Sequence, residues 1–141
     1  MTASRCFLYG ALLDPSLIAD IAPGACFERI AHLPAHRLGF GASGTPVVVP
    51  DEGHTVWGGV FNVSEAEISA IADAYAESDE PSPAWAVDRE GDRFEVLVFS
   101  GADGGKASEA DIDHMVRGAR HWELPAGWVV GLEDLIDPFE F

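Results

Sequence analysis

Segments that favour strands and segments that favour helices do not alternate regularly along this chain. Runs rich in β-branched and aromatic residues, which favour strands, lie at Arg5–Tyr9, Phe27–Phe40, Val47–Val49, Val56–Val63 and Phe94–Phe99. Apolar residues at helical spacing predict two main helices, one after Ser64 and one over Glu109–Trp122. A doubly wound parallel sheet needs strands and helices in turn, so this order predicts an α+β fold instead.

Residues typical of helix starts mark two helix boundaries. Asp14 suits an N-cap and Pro15 suits the first helical position, which predicts a short helix that ends near Ile21. Ser64, with Glu67 three residues later, forms the sequence pattern of a capping box. The helix that follows has one apolar stripe, formed by Ile68, Ile71, Ala72 and Tyr75.

Proline, glycine and polar residues predict where the other elements are interrupted. Pro34 lies inside the second run, which is expected to form one or two strands, and Pro50–Gly53 is expected to be a turn between the third and fourth runs. Leu124–Leu135 is expected to be extended or irregular. Two segments too short to be linkers are interpreted as surface loops, Asp79–Pro83 and Gly101–Gly105.

Length and charge limit the classes of function. The 141 residues support one domain, predicted to span residues 1–141 with a core over about 5–130 and a tail over 131–141. The net charge is −16 and no Lys or Arg lies between Leu38 and Asp88, whereas nucleic-acid binding needs clustered cations. No apolar run approaches the roughly 20 residues of a membrane span, and the N-terminus lacks a signal-peptide core. A cytoplasmic protein without nucleic-acid or membrane partners is expected.

The segment after the first predicted strand combines a glycine with a capped helix start. It reads Tyr9-Gly10-Ala11-Leu12-Leu13-Asp14-Pro15. Backbone N–H groups in such a turn can converge on an anion, and the helix dipole supports them. Because the chain has few cationic side chains, a carboxylate ligand would be held largely by the backbone. The same pattern is also compatible with an ordinary strand–turn–helix junction without a ligand.

Five segments carry, in order, a resemblance to a known family. They are Phe7–Pro15, Ala31–Leu38, Gly44–Pro50, Val56–Phe61, and Arg117–Ala119 followed by Leu124-Pro125 and Trp128. The first resembles a signature loop of Tyr-Gly, a small residue and Leu, and the fourth resembles a Val-x-Gly strand. Together the five segments are similar to the γ-glutamylcyclotransferase-like family over roughly residues 5–130.

This resemblance implies a mixed-sheet barrel around one cavity and an intramolecular reaction. The α-amine of a small γ-glutamyl amine or amide would attack its own γ-carbonyl, close the ring of 5-oxoproline and release the amine. One carboxylate would take and return the proton, and neither a metal nor a cofactor is implied. The residues implied to bind this γ-glutamyl or carboxylate ligand are Tyr9, Gly10, Ala11, Leu12 and Leu13.

Two residues compete for the position of the catalytic carboxylate. The family has a Glu at the end of the helix after the Val-x-Gly strand. Aligned without gaps, Tyr75 takes that position, and aligned with extra residues, Glu77 takes it, so both are candidate catalytic residues. On a continuous helix Glu77 would lie about 200° from Tyr75 and face solvent. Trp85 stands where the family often has a Tyr at the cavity and is a candidate binding residue.

Three functions are compatible with these observations. The first is an enzyme that cyclises a γ-glutamyl amine, with Glu77 or Tyr75 in proton transfer. The second is a diverged family member that binds a small carboxylate or performs different chemistry, because Tyr75 replaces the catalytic Glu. The third is an interaction protein that presents the acidic surface between Asp51 and Asp88 to a basic partner, and it predicts a closed cavity and an exposed apolar patch.

Overall fold

The runs that favour strands form the strands of a closed barrel. The computed structural model describes residues 4–42, 45–75, 81–101, 104–106 and 108–133. Its strands are β1 (Ser4–Leu8), β2 (Cys26–Phe40), β3 (Pro46–Val63), β4 (Ser82–Asp88) and β5 (Arg93–Val98). Its helices are a 3-10 helix (Gly10–Leu13), α1 (Pro15–Ile21), α2 (Glu65–Ala74), α3 (Glu109–His121) and α4 (Ala126–Glu133). The predicted α+β class with a mixed-sheet barrel is confirmed.

The first strand closes the barrel. The strands follow the order β1-β3-β2-β4-β5, and β1 returns to β5. Neighbouring strands are antiparallel except β1 and β5, which are parallel, with Cys6 opposite Leu97. On its other edge β1 pairs with residues 59–63 of β3. Because β1 is bonded on both edges, the 3-10 helix that follows it starts from a fixed position.

β2 and β3 form one long hairpin in which the predicted interruptions are irregularities of pairing. Pro34 pairs with Thr55 and His36 pairs with Pro50, so one residue of β2 lies opposite four residues of β3 between these pairs. The prediction of a turn at Pro50–Gly53 was wrong, because β3 continues through this segment for 18 residues. A bulge accommodates proline and extra polar residues without ending a strand.

Both predicted helix starts are present. The side chain of Asp14 accepts a hydrogen bond from the N–H of Ser16 at 3.0 Å and caps α1. The Ser64 hydroxyl accepts from the N–H of Glu67 at 3.3 Å, and the Glu67 carboxylate accepts from the N–H of Ser64 at 2.9 Å, which completes the capping box of α2. Tyr75 follows α2 as its C-cap residue.

Two elements differ from the sequence-based expectation. Leu124–Leu135 was expected to be extended or irregular but contains α4, whose Leu132 is buried and whose Trp128 packs against the core. This packing outweighs a local sequence that is poor in strong helix formers. The loop predicted at Asp79–Pro83 overlaps β4, which begins at Ser82 and pairs with β5. Residues 131–133 of the predicted tail belong to α4, and residues 134–141 lie outside the described part of the chain.

The buried side chains of the barrel and of the helices form one continuous core. The large side chains with almost no exposed surface include Phe7, Tyr9, Leu33, Phe61, Ile71, Phe99 and Met115. Ile71 comes from α2 and Met115 from α3, so both main helices pack onto the barrel. None of the helices in the described ranges is long and apolar enough to cross a bilayer.

Candidate functional site

The loop after β1 depends on a glycine at its first turn. Gly10 has a φ of 66°, a backbone conformation that favours glycine. A Cβ at this position would lie 2.8 Å from the Cβ of Pro46. The residues of the 3-10 helix that follows are all buried. We call residues Tyr9–Leu13 the Tyr-Gly loop, and it is an internal part of the fold with no room for a side chain at Gly10.

The phenol hydroxyl of Tyr75 is hydrogen-bonded to both backbone groups of Tyr9, its N–H and its carbonyl. Its hydroxyl accepts a hydrogen bond from the N–H of Tyr9 at 3.0 Å and donates one to the carbonyl of Tyr9 at 2.8 Å. The two rings are stacked, with centroids 4.6 Å apart and an interplanar angle of 15°. The end of α2 is thereby fixed against the Tyr-Gly loop.

Both tyrosines remain neutral hydrogen-bonding groups at physiological pH. Burial raises the pKa of Tyr75 well above its usual value, and the neighbouring Tyr9 raises it further. Burial also raises the pKa of Tyr9, whose hydroxyl donates to the carbonyl of Phe99. Because neither phenol ionises readily, neither has the properties of a base that takes a proton from an ammonium group.

The free amides of the Tyr-Gly loop are those at its start. The N–H of Tyr9 is bound to Tyr75, and the carbonyl of Ala11 accepts from the N–H of Asp14 at 3.1 Å. In a 3-10 helix the first two N–H groups have no acceptor within the helix. Those of Gly10 and Ala11 also have no acceptor elsewhere among the described residues. The amides predicted to hold an anion are therefore reduced to these two.

Asp14, which the sequence predicts only as the N-cap of α1, is also part of a cluster of side chains. Asp14 is 3% exposed, and its Oδ2 lies 2.6 Å from Nδ1 of His114 on α3. Its Oδ1 accepts from the Ser16 hydroxyl at 2.9 Å. Burial alone would raise the pKa of Asp14, but the hydrogen bonds from His114 and Ser16 outweigh it and lower the pKa below the usual value. The sequence gives no signal for this cluster, since His114 lies 100 residues away.

The structure brings together only some of the predicted site residues. Tyr9–Leu13 and Tyr75 form one group. Trp85 does not join it, because its side chain is 53% exposed on β4 and its ring lies beside the guanidinium of Arg93. Glu77 lies outside the described residues, and α2 ends at Ala74, so an extrapolation of the helix no longer places Glu77 toward solvent.

The exposed apolar side chains of the described ranges bear on the hypothesis of an interaction protein. The large apolar side chains that are exposed in the described ranges are Phe27, Trp85 and Val130. They lie on β2, β4 and α4, three separate elements. A concavity of about 330 Å³ lies between the β2–β3 hairpin and α4, with Arg37, Phe40 and Trp128 among its lining residues.

Solved structures with the same fold include known and uncharacterised proteins. A structure described as a gamma-glutamyl cyclotransferase has a TM-score of 0.84 at 19% identity, covering 99% of this chain and 90% of that one. An uncharacterized protein from Homo sapiens has a TM-score of 0.85 at 19% identity, covering 100% and 92%. An AIG2-like protein from Mus musculus has a TM-score of 0.61 at 18% identity, covering 74% and 81%. At these identities the similarity establishes the fold.

The sequence itself carries the family assignment. No curated protein matches it. The family model described as gamma-glutamyl cyclotransferase, AIG2-like, matches residues 6–122, which include the Tyr-Gly loop, α2 and α3. Since this match covers most of the chain, the protein belongs to the gamma-glutamyl cyclotransferase, AIG2-like family.

Proposed function

We propose that this protein cyclises a small γ-glutamyl amine or amide to 5-oxoproline and releases the amine. The observation that carries the proposal is the pair of hydrogen bonds between the Tyr75 hydroxyl and the backbone of Tyr9, one accepted from its N–H and one donated to its carbonyl. It fixes the end of α2 against the Tyr-Gly loop. The end of α2 and the loop that carries the two free amides are thereby joined in one hydrogen-bonded unit.

The reaction needs one binding group and one group that moves a proton. The N–H groups of Gly10 and Ala11 are suited to hold the α-carboxylate of the substrate, in a chain with few cations to do so. The α-ammonium loses one proton, its nitrogen bonds to the γ-carbonyl carbon and loses a second proton, and the bond to the leaving nitrogen breaks. The leaving nitrogen receives the two protons and departs as an ammonium ion, so a single carboxylate can take and return each proton in turn.

We assign the proton-transfer role to the carboxylate of Glu77 rather than to the phenol of Tyr75. The hydroxyl of Tyr75 already uses its hydrogen atom for the carbonyl of Tyr9, and its raised pKa opposes ionisation. Glu77 is the carboxylate that matches the family's catalytic Glu in the alignment with extra residues, and it follows Tyr75 by two residues. Both points support this assignment.

The test is product formation by three variants. Purified protein is incubated with a panel of γ-glutamyl amines, and 5-oxoproline is measured. Glu77→Gln is expected to lower kcat by at least about a hundredfold, the usual effect of losing a general base. Tyr75→Phe is expected to keep most of kcat, and Glu65→Gln, the same change at an exposed position of α2, to keep all of it. Full activity of Glu77→Gln, with loss in Tyr75→Phe, would reverse the assignment.

A specific observation also favours a second function, a module that binds a small carboxylate. In the alignment without gaps, a neutral and fully bonded phenol stands where the family has its catalytic Glu. This alternative predicts no product from any γ-glutamyl amine, while 5-oxoproline still binds in isothermal titration calorimetry. Product formation by the wild-type protein would exclude it as the main function.

A further inference from the structure

Helix α3 and its C-cap residue Trp122 contact the chain at Leu13-Asp14, where the Tyr-Gly loop ends, at three places. The indole N–H of Trp122 donates to the carbonyl of Leu13 at 2.8 Å. Gly118 lies so close that a Cβ would be 2.5 Å from the carbonyl carbon of Leu13. His114 contacts the carboxylate of Asp14 at 2.6 Å. His114, Gly118 and the C-cap residue Trp122 are spaced by four, so one face of α3 and its cap lies along the backbone at Leu13-Asp14.

The indole of Trp122 is itself held in place. Its ring stacks on Phe27, with centroids 4.2 Å apart and an interplanar angle of 19°. The ring of Phe61 meets it edge-on, with centroids 5.6 Å apart and an angle of 87°. With both contacts in place, the direction of the indole N–H toward Leu13 is fixed.

We infer that Trp122 is a positioning residue for the amides of Gly10 and Ala11, an inference that rests on the proposed function. The 3-10 helix is only four residues long, so its last carbonyl and its first N–H groups belong to one small rigid unit. A hydrogen bond that holds the carbonyl of Leu13 sets the direction of this unit. It thereby sets where the N–H groups of Gly10 and Ala11 point, although Trp122 touches neither.

The kinetic test uses Trp122→Phe, which keeps an aromatic ring and removes the indole N–H. KM for the γ-glutamyl substrate is expected to rise about three- to tenfold, the effect of weakened hydrogen bonds. The kcat is expected to stay within about twofold, because the proton-transfer group follows α2. Trp128→Phe on α4 makes the same change outside the Tyr-Gly loop and is expected to leave both constants unchanged. A fall in kcat of a similar size, with KM unchanged, would overturn the inference.

A second measurement does not depend on activity. Amide hydrogen exchange is followed by NMR for Gly10 and Ala11 in the full-length protein, together with the unfolding midpoint. Faster exchange at these amides in Trp122→Phe, beyond any change in global stability and absent in Trp128→Phe, supports the positioning role. Exchange that changes only in proportion to global stability shows a structural role alone and overturns it.

The two measurements separate the inference from the proposed function. If the wild-type protein forms no product, the proposed function fails, while hydrogen exchange and 5-oxoproline binding still test the effect of Trp122. Should Trp122→Phe not fold, His114→Ala removes the neighbouring contact to Asp14 from a partly exposed position. It is expected to accelerate exchange at Gly10 and Ala11, and unchanged exchange would count against positioning by α3.

Discussion

At the scale of single residues, Tyr75 has two roles that its burial allows it to combine. Its ring is 3% exposed in the core, and its hydroxyl satisfies both backbone groups of Tyr9. A buried N–H and a buried carbonyl without partners each carry a desolvation penalty. A phenol at the end of α2 is therefore part of the support of the Tyr-Gly loop, whatever chemistry the site performs.

Tyr75→Phe is expected to lower the free energy of unfolding by about 1–3 kcal/mol. The variant keeps the stacked ring but leaves the N–H of Tyr9 without its hydroxyl acceptor and the carbonyl of Tyr9 without its hydroxyl donor. Urea denaturation at pH 7, compared with the wild-type protein, measures the change. An unchanged unfolding energy would show that the hydroxyl contributes nothing beyond the ring.

The sequence predicts that the side chain of Tyr75 lies on the buried face of its helix, but it does not predict the hydrogen-bond partner of its hydroxyl. The helical stripe of Ile68, Ile71 and Tyr75 correctly places the side chain on the buried face. The hydrogen bonds to Tyr9 join residues 66 positions apart, and no local pattern encodes such a pair. For the same reason the cluster of Asp14 and His114 could not be predicted, whereas the cap made by Asp14 could.

At the scale of secondary-structure elements, short-range signals predict boundaries and long-range packing decides the rest. The caps at Asp14 and Ser64 depend on residues two or three positions away and were predicted correctly. The helix α4 and the strand β4 were missed, because α4 depends on packing of Leu132 and β4 on pairing with β5. The bulge at residues 51–54 of β3, opposite Ala35, was wrongly predicted to be a turn, because the residues typical of turns also occur in bulges.

Gly118→Ala tests how closely α3 approaches the Tyr-Gly loop. The added methyl group would lie 2.6 Å from the Cβ of Leu13, so the variant is expected to lose about 1–3 kcal/mol of unfolding free energy through overpacking. Gly131→Ala on α4 is the matched control. Nothing lies within 4 Å of its Cβ, so it is expected to gain up to about 1 kcal/mol from helix propensity. Equal stabilities of the two variants in urea would contradict the close approach.

At the scale of the whole molecule, carboxylates with lowered pKa values make the free energy of unfolding depend on pH in the acidic range. Asp88 is 3% exposed and accepts hydrogen bonds from the N–H groups of Asp92 and Glu90 and from Arg29. Burial alone would raise the pKa of Asp88, but these donors lower it below the usual 3.8. The pKa values of Asp14 and Glu28 are also lowered, because hydrogen bonds and nearby cations outweigh their burial.

The contribution of these three carboxylates to the unfolding free energy is therefore expected to be constant above about pH 5 and to fall below about pH 4. A lowered folded-state pKa stabilises the folded protein above the unfolded-state pKa, and this contribution disappears as the pH falls through the folded-state value. Urea denaturation between pH 7 and pH 2 measures the curve. Asp88→Asn is expected to be less stable at pH 7 and to show a shallower fall, and parallel curves would contradict the assignment.

The position of β1 links ligand binding to the cooperative unfolding of the whole chain. The backbone of residues 4–8 pairs with strand segments more than 50 residues away in the sequence, so the turn that follows them takes shape after the distant parts have assembled. No fragment ending before β3 would hold a carboxylate. A saturating ligand is accordingly expected to raise the temperature of one melting transition that all spectroscopic probes report together. The reason is that the ligand binds the native state and not a partly folded one.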